Sequence, residues 1–365
     1  MSLLISTLKN INIIDTFTLT HWNILIGQAR SEKLLGRLYY LFVKNNKTDL
    51  IPPKVILHFS SSYKLFLRQQ NDVLREVDTI QQKFKYKQIP CIFLKGAAYI
   101  LADLPCAKGR LLSDIDVLVK SDLIKKAEIQ LMVLGWISQK IEDYDDEYYR
   151  KWMHEIPPMQ HVNRGSVIDL HHNILPLTNT DYSTSRKYNT QELKSLNNTL
   201  ILDNMDIVIH SSVHLFTESE YNNGLRDLSD LDILIRHFSS IDNQFIEKLV
   251  ARANEQKLSL YIWLTFQYSS KILATPIDKK QQSFLVKKPK TIMHEMYYNF
   301  CFINIFKPNH SSCRDWKMSL SEFLLYWRGH FLRMPLRLLI PHLTRKSFMR
   351  LRDYFKQDDT LKQIP

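Results

Sequence analysis

Apolar residues recur at three- and four-residue steps near the start of the chain: Trp22, Leu25, Ile26 and Ala29, then Leu34, Leu35, Leu38 and Leu41. That period puts them on one helical face. Pro52-Pro53 breaks the pattern, because proline lacks an N–H and fixes φ, and a longer helix is predicted over 54–86. From residue 89 the period changes. Pro90-Cys91-Ile92-Phe93-Leu94 reads as a buried strand, as does 114–119, built on the β-branched run Ile115-Asp116-Val117-Leu118-Val119. Lys95 to Ala102, between them, reads as the start of a helix. Met159 to Val162 and Ser166 to His171 flank the turn-forming Asn163-Arg164-Gly165 and predict a hairpin. Helical periodicity returns from about residue 190, with helices predicted over 203–216 and 229–238. The pattern predicts an α+β fold with a helical region over 1–88, a small mixed sheet with flanking helices over 89–175, and a second helical region over 190–365.

Composition narrows the class. A chain of 365 residues can bury a substantial core in two or three modules. With 8 glycines, 45% hydrophobic residues and no low-complexity tract, it reads as ordered and helix-rich. Met1 to Ser6 lacks the basic and apolar parts of a signal peptide. No apolar run approaches the roughly 18 residues of a membrane span. A cytoplasmic location is therefore expected, with Cys91, Cys106, Cys301 and Cys313 reduced. These cysteines form no CxxC pair, which removes zinc-knuckle and redox readings. GxSxG and GxxxxGK[ST] are both missing, and His154-Glu155 lacks the second histidine of HExxH because Pro158 stands there.

Lys plus Arg number 49 against 37 Asp plus Glu, a net charge of +12 that attracts nucleotides, nucleic acid or acidic lipid. The excess concentrates in 323–352, where Arg328, Arg333, Arg337, Arg345, Lys346, Arg350 and Arg352 interleave with Trp327, Phe331 and Phe348 and no acidic residue intervenes. Three readings stay open: RNA binding by phosphate and stacking contacts, an amphipathic membrane-surface segment, and a solvated helical face. The run Lys287-Lys288-Pro289-Lys290 reads as a loop.

The chemistry concentrates between residues 94 and 116. Asp114 and Asp116, on one face of the predicted strand, would have Cα atoms roughly 6.6 Å apart at about 3.3 Å per residue. Such a buried pair calls for a cation, and oxygen ligands favour Mg or Mn. Gly96 lets the backbone approach a ligand, free amides at the helix start favour phosphate, and Lys95 adds a point charge. Arg110, in the loop before the strand, is positioned as a further phosphate clamp. A third carboxylate is expected on a neighbouring strand, and Asp169 is the candidate; by pattern alone an edge-strand aspartate is an equal reading. His171 shares the face of Asp169, in a hydrogen-bonding rather than ligating role. His210 and His214, four residues apart, suit either a metal or a packing face.

These residues resemble a known family, the bacterial uncharacterised nucleotidyltransferases of the DNA polymerase β-like superfamily. That family reads LKG, a variable helix, an arginine, SDIDLLV and later VDLHW. The matching residues are Leu94-Lys95-Gly96, Arg110, Ser113-Asp114-Ile115-Asp116-Val117-Leu118-Val119 and Val167-Ile168-Asp169-Leu170-His171-His172. His21-Trp22-Asn23-Ile24-Leu25 with Ala29, and Gln88-Ile89-Pro90, extend the likeness, which spans roughly 20–345 and is densest over 88–172. The motif is also similar to that of abortive-infection nucleotidyltransferase toxins, which carry LKGG, DID and RDxxDL; Arg226-Asp227-Leu228-Ser229-Asp230-Leu231 matches the last. The resemblance implies a polymerase β-like core, metal ligation by Asp114, Asp116 and Asp169, and nucleotide contacts from Lys95, Gly96, Arg110, Ser113, Arg226 and Asp230. Two departures stand out: Lys95-Gly96 replaces the superfamily's commoner Gly-Ser, and Ala97 replaces the second glycine of LKGG.

The function implied is Mg-dependent (or Mn-dependent) transfer of a nucleoside monophosphate from an NTP such as ATP, with release of pyrophosphate. The acceptor would be a hydroxyl or phosphate on a small molecule, peptide or protein. One alternative is a toxin-type transferase acting on RNA ends such as those of tRNA, docked through 323–352. Another, from a different class, is a non-catalytic nucleotide-binding or scaffolding subunit, which the three aspartates argue against.

Overall fold

The computed structural model describes residues 2–138, 149–150, 153–175, 188–193, 198–289, 291–333 and 339. Helices α1 (Leu3–Lys9), α2 (Leu19–Ser31), α3 (Leu35–Lys44) and α4 (Pro53–Tyr86) lead into strand β1 (Cys91–Phe93) and helix α5 (Lys95–Leu101). Next come β2 (Ile115–Val119), α6 (Ile124–Val133), β3 (Trp136–Ser138), β4 (Met159–His161), β5 (Val167–His171), β6 (Thr190–Leu193) and β7 (Thr199–Leu202). The chain then runs through α7 (Asn204–Thr217), α8 (Gly224–Ile241), α9 (Phe245–Glu255), α10 (Ser259–Leu273), α11 (Lys279–Ser283), α12 (Ile292–Ile305) and α13 (Trp316–Arg333).

Helix α4 shows how the sequence builds this framework. Pro53 opens it, where a missing N–H costs nothing. Phe59, Phe66, Val73, Val77, Ile80 and Phe84 are its buried apolar residues, at steps that keep them on one stripe. Gln88, in the left-handed region at φ +54°, ends the run and turns the chain into β1. Asp203 caps α7 by accepting the Asp206 amide at 2.8 Å. Helix α8 extends beyond the expected 229–238 at both ends, so Arg226 and Asp227 stand in its first turn.

The seven strands form one mixed sheet in the order β3-β4-β5-β2-β1-β7-β6. β2 pairs antiparallel with β1 and parallel with β5, while β1 runs parallel to β7. The expected hairpin is the antiparallel β4–β5 pair. Strands β6 and β7 lie beyond the 89–175 span and join the β1 edge of the same sheet. Mixed sheet and abundant helices agree with the expected α+β class. β2 is buried at every position, apolar residues and Asp116 alike.

A single apolar cluster runs from Leu4 to Leu325 through all three regions. At its N-terminal end Trp22, Phe42 and Phe59 meet edge to face, with centroids 5.3 to 6.3 Å apart. At the other end Phe216 packs edge-on to Phe302 at 5.0 Å. Arg328, counted from sequence among the anion-binding cations of 323–352, belongs to this second group: it donates to Phe216 O at 2.6 Å and lies over the Tyr298 and Phe302 rings. Trp327 and Phe331 on the same helix are exposed; residues 334–338 and 340–352 of that segment lie outside the described residues. Among the described residues, no helix is long and apolar enough to cross a membrane.

Phe59→Ala should lower unfolding free energy by about 3–5 kcal/mol, since the ring is fully buried against Trp22 and Phe42. Urea unfolding measures this; a loss below about 1 kcal/mol would show that the site relaxes.

Candidate active site

Strand register sets the floor of the site. In the parallel β2–β5 pair Asp116 lies opposite Asp169, and His171, two residues on, shares that face. Leu94 donates its N–H to Asp116 O at 3.0 Å, fastening the end of β1 to β2. The chain then turns through Lys95, whose φ of +45° is a conformation lysine rarely adopts. Lys95 Nζ thereby reaches Asp116 Oδ1 at 2.6 Å, and His171 Nε2 lies 2.9 Å from the same oxygen. Asp116 is 1% exposed. Burial alone would raise its pKa, but Lys95 and His171 outweigh it and hold the carboxyl well below the usual range. Burial likewise opposes the Lys95 ammonium, and Asp116 and Asp114 more than offset that, so the lysine stays charged.

Asp169 is in the opposite condition. Burial first, then the charges of Glu155, Asp116 and Asp114, push its pKa from 3.8 up to about 8. Its Oδ1 is buried without a hydrogen-bond partner. Asp114 stands just before β2 rather than within it, and burial with the nearby Asp116 raises its pKa too. Three carboxylates around one cavity, with one buried oxygen unsatisfied, form a donor set suited to a hard cation. Among the described residues, two groupings are tight enough to share an ion: Asp116, Asp169 and His171, and separately His154, Glu155 and His171. The structure thus brings Asp116 and Asp169 together with His171 and leaves Asp114 on the cavity wall.

A second wall carries arginines. Arg110 Nε donates to Asp230 Oδ2 at 2.7 Å and its Nη2 to Asp227 Oδ1 at 3.3 Å. Arg226 Nε donates to Asp227 Oδ1 at 2.8 Å. From α3, fully buried Arg37 donates to Asp230 Oδ1 and Ser229 Oγ, each at 2.5 Å, and to Cys106 O. Three guanidinium groups thus share two carboxylates; Arg110 and Arg226 line the cavity, and buried Arg37 braces Asp230 from behind. Close backbone contact makes the arrangement possible. A Cβ on Gly109, at φ +72°, would meet the Gly36 backbone at 2.3 Å, so α3 and the loop entering Arg110 touch main chain to main chain. A Cβ on Gly96 would come within 2.6 Å of Arg110 Nη1. Gly96 therefore makes room for the arginine, where the sequence suggested room for a ligand.

All nine residues singled out as site residues from the sequence line one cavity of about 360 Å³, with exposed Ser113 among them. His210 and His214 line it as well. His210 is buried, and burial with nearby Lys95 holds it well below its usual pKa, in the neutral form. His214 pairs with Glu218 at 3.0 Å. The two belong to neither metal-compatible grouping. Arg37 and Asp227 escaped sequence reasoning, Arg37 because nothing in α2–α3 periodicity distinguishes a buried arginine, Asp227 because Arg226 and Asp230 drew the motif. His154 and Glu155 were set aside with HExxH; only the fold of 153–156 onto β5 brings them to the site.

A family model described as "Uncharacterised nucleotidyltransferase" matches residues 18–274. No curated protein matches the chain. Among solved structures, an antigenic nucleotidyltransferase-like protein from Paracoccidioides brasiliensis is similar at 12% identity, covering 57% of this chain and 94% of that one, with a TM-score of 0.32. A likeness at that level bears no weight on fold or chemistry.

The raised Asp169 pKa makes stability depend on pH. A carboxyl whose pKa is higher folded than unfolded favours the fold while protonated, so that contribution is complete below about pH 4 and lost as pH rises through about 8. Asp169→Asn should therefore be more stable than the parent above pH 8 without divalent ions, by on the order of a few kcal/mol, and equal to it near pH 4. Thermal melts across pH test this; a gap that widens toward acid would reverse the assignment.

Proposed function

The chain belongs to the family of uncharacterised nucleotidyltransferases, and from that premise we propose that it is a divalent-metal-dependent transferase of nucleoside monophosphates with a polymerase β-like catalytic core. One observation carries the reading. The parallel register that sets Asp116 beside Asp169 leaves a buried Asp169 oxygen unsatisfied in a cavity whose other wall carries Arg110 and Arg226. That combination suits a metal-bound triphosphate and little else.

In this reading Asp116 and Asp169 would hold Mg or Mn, with Asp114 contributing from the cavity wall. Bound there, the cation would neutralise charge developing on the transferred phosphoryl group. Asp116 Oδ1 is engaged by Lys95 and His171, which fixes the orientation of the carboxylate. Arg110 and Arg226, pinned by Asp227 and Asp230, present fixed positive charge to the β- and γ-phosphates. Lys95, held on Asp116 at the start of α5, adds an ammonium. Asp169, ionised once the cation offsets its acidic neighbours, takes the proton of the acceptor hydroxyl. The acceptor oxygen then bonds to the α-phosphorus as the bond to the bridging oxygen breaks, and pyrophosphate leaves. Buried side chains with fixed partners need little reorganisation during transfer.

Incubation with α-labelled NTPs, Mg and candidate acceptors should transfer label and release pyrophosphate. Asp116→Ala should lower the rate by about 100-fold or more. Equal labelling by parent and variant would remove the assignment, and NTP binding indifferent to Mg with no turnover would favour a binding subunit.

A further inference from the structure

Beside the carboxylate floor lies a cluster with donors of a different kind. Residues 153–156 dock against β5: Glu155 forms an isolated antiparallel bridge with His171, Ile156 N donates to Leu170 O at 3.0 Å, and His172 N donates to His154 O at 2.8 Å. Main-chain bonds thus fix both His154 and Glu155 next to the His171 ring. His171 is 1% exposed. Its Nδ1 lies 3.3 Å from Glu155 Oε2 in a geometry that forms no hydrogen bond, and that buried nitrogen has no hydrogen-bond partner. His154 Nε2 stands 3.8 Å from the same Glu155 oxygen, and the donor atoms of the three residues all lie within 4.8 Å of one another.

We infer that His154, Glu155 and His171 form a binding site for a transition-metal dication of the zinc type, separate from the hard-cation site of the aspartates. Two imidazoles and one carboxylate select such ions over magnesium, which prefers oxygen donors alone. An ion on Nδ1 requires the ring proton to sit on Nε2, from which it donates to Asp116 Oδ1 at 2.9 Å. A histidine that ligates through one nitrogen and donates through the other to a carboxylate is a recurrent metal arrangement, and it fixes the ring's tautomer and orientation. The site goes beyond the transfer reading, in which neither His154 nor Glu155 is given a nucleotide or metal contact.

Cobalt alone is the probe. Metal-stripped full-length protein, held in excess Mg2+ to occupy the aspartates, is titrated with Co2+ and followed by its visible ligand-field absorption. One equivalent should bind with a nitrogen-ligand spectrum and be displaced by Zn2+. Glu155→Gln and His154→Ala should each weaken binding at least about 10-fold, while Asp169→Asn leaves it unchanged. Melting curves establish that each variant is folded, and isosteric Glu155→Gln decides the matter if His154→Ala does not fold. Absence of binding, displacement by Mg2+, an unchanged affinity in Glu155→Gln, or loss in Asp169→Asn would each overturn the site. Loss of nucleotidyl transfer with cobalt binding intact would count against the transfer reading alone.

Discussion

Like charges held side by side on two buried strands set the terms for everything around them. Two carboxylates about 4 Å apart repel by about 4 kcal/mol even at an effective dielectric near 20, and the β2–β5 register places Asp116 and Asp169 as direct neighbours. The fold meets this unequally. Asp116 receives Lys95 and His171 and stays ionised, whereas Asp169 is left with an unsatisfied oxygen and a pKa of about 8. Such asymmetry costs stability, and proteins keep costs of this kind where chemistry needs them. The left-handed backbone at Lys95 is part of the same cost, since that turn brings the ammonium onto Asp116.

The arginine wall faces the acidic floor and ties three regions of the chain together. Arg37 from α3 and Arg110 from the loop before β2 meet on Asp230 of α8, so the N-terminal helices, the sheet and the C-terminal helices converge at one carboxylate. Buried ion pairs of this sort are weak evidence for stability, because desolvation offsets much of their attraction. Their value lies in fixed geometry: guanidinium planes locked by carboxylates keep their direction whether or not an anion is present. Gly36 against Gly109, and Gly96 against Arg110, supply the closeness this requires.

The strands carrying Asp116 and Asp169 were legible because β-branched apolar runs with alternating neighbours have few other interpretations, and the β4–β5 hairpin followed from its turn residues. The long helix was legible from Pro53 onward because its buried stripe recurs over many turns. Strands β6 and β7 were not. Thr190–Leu193 and Thr199–Leu202 are short, and their place in the sheet comes from pairing with β1, a contact that no local pattern encodes. Gly96 was legible as important but not in its role, which depends on an arginine fourteen positions away.

The sequence by itself determined the chemical inventory: which carboxylates, which cations, that Asp116 lies on a buried strand, and that His171 faces the same way as Asp169 on another. Period and side-chain chemistry are local properties and can be read locally. Tertiary structure alone decided the partnerships. It seated Lys95 on Asp116, joined Arg37 and Arg110 through Asp230, put Asp114 outside the tightest grouping, and folded His154 and Glu155 against His171. Partnerships between residues far apart in sequence arise from register and packing, which exist only once the whole chain has closed on its core.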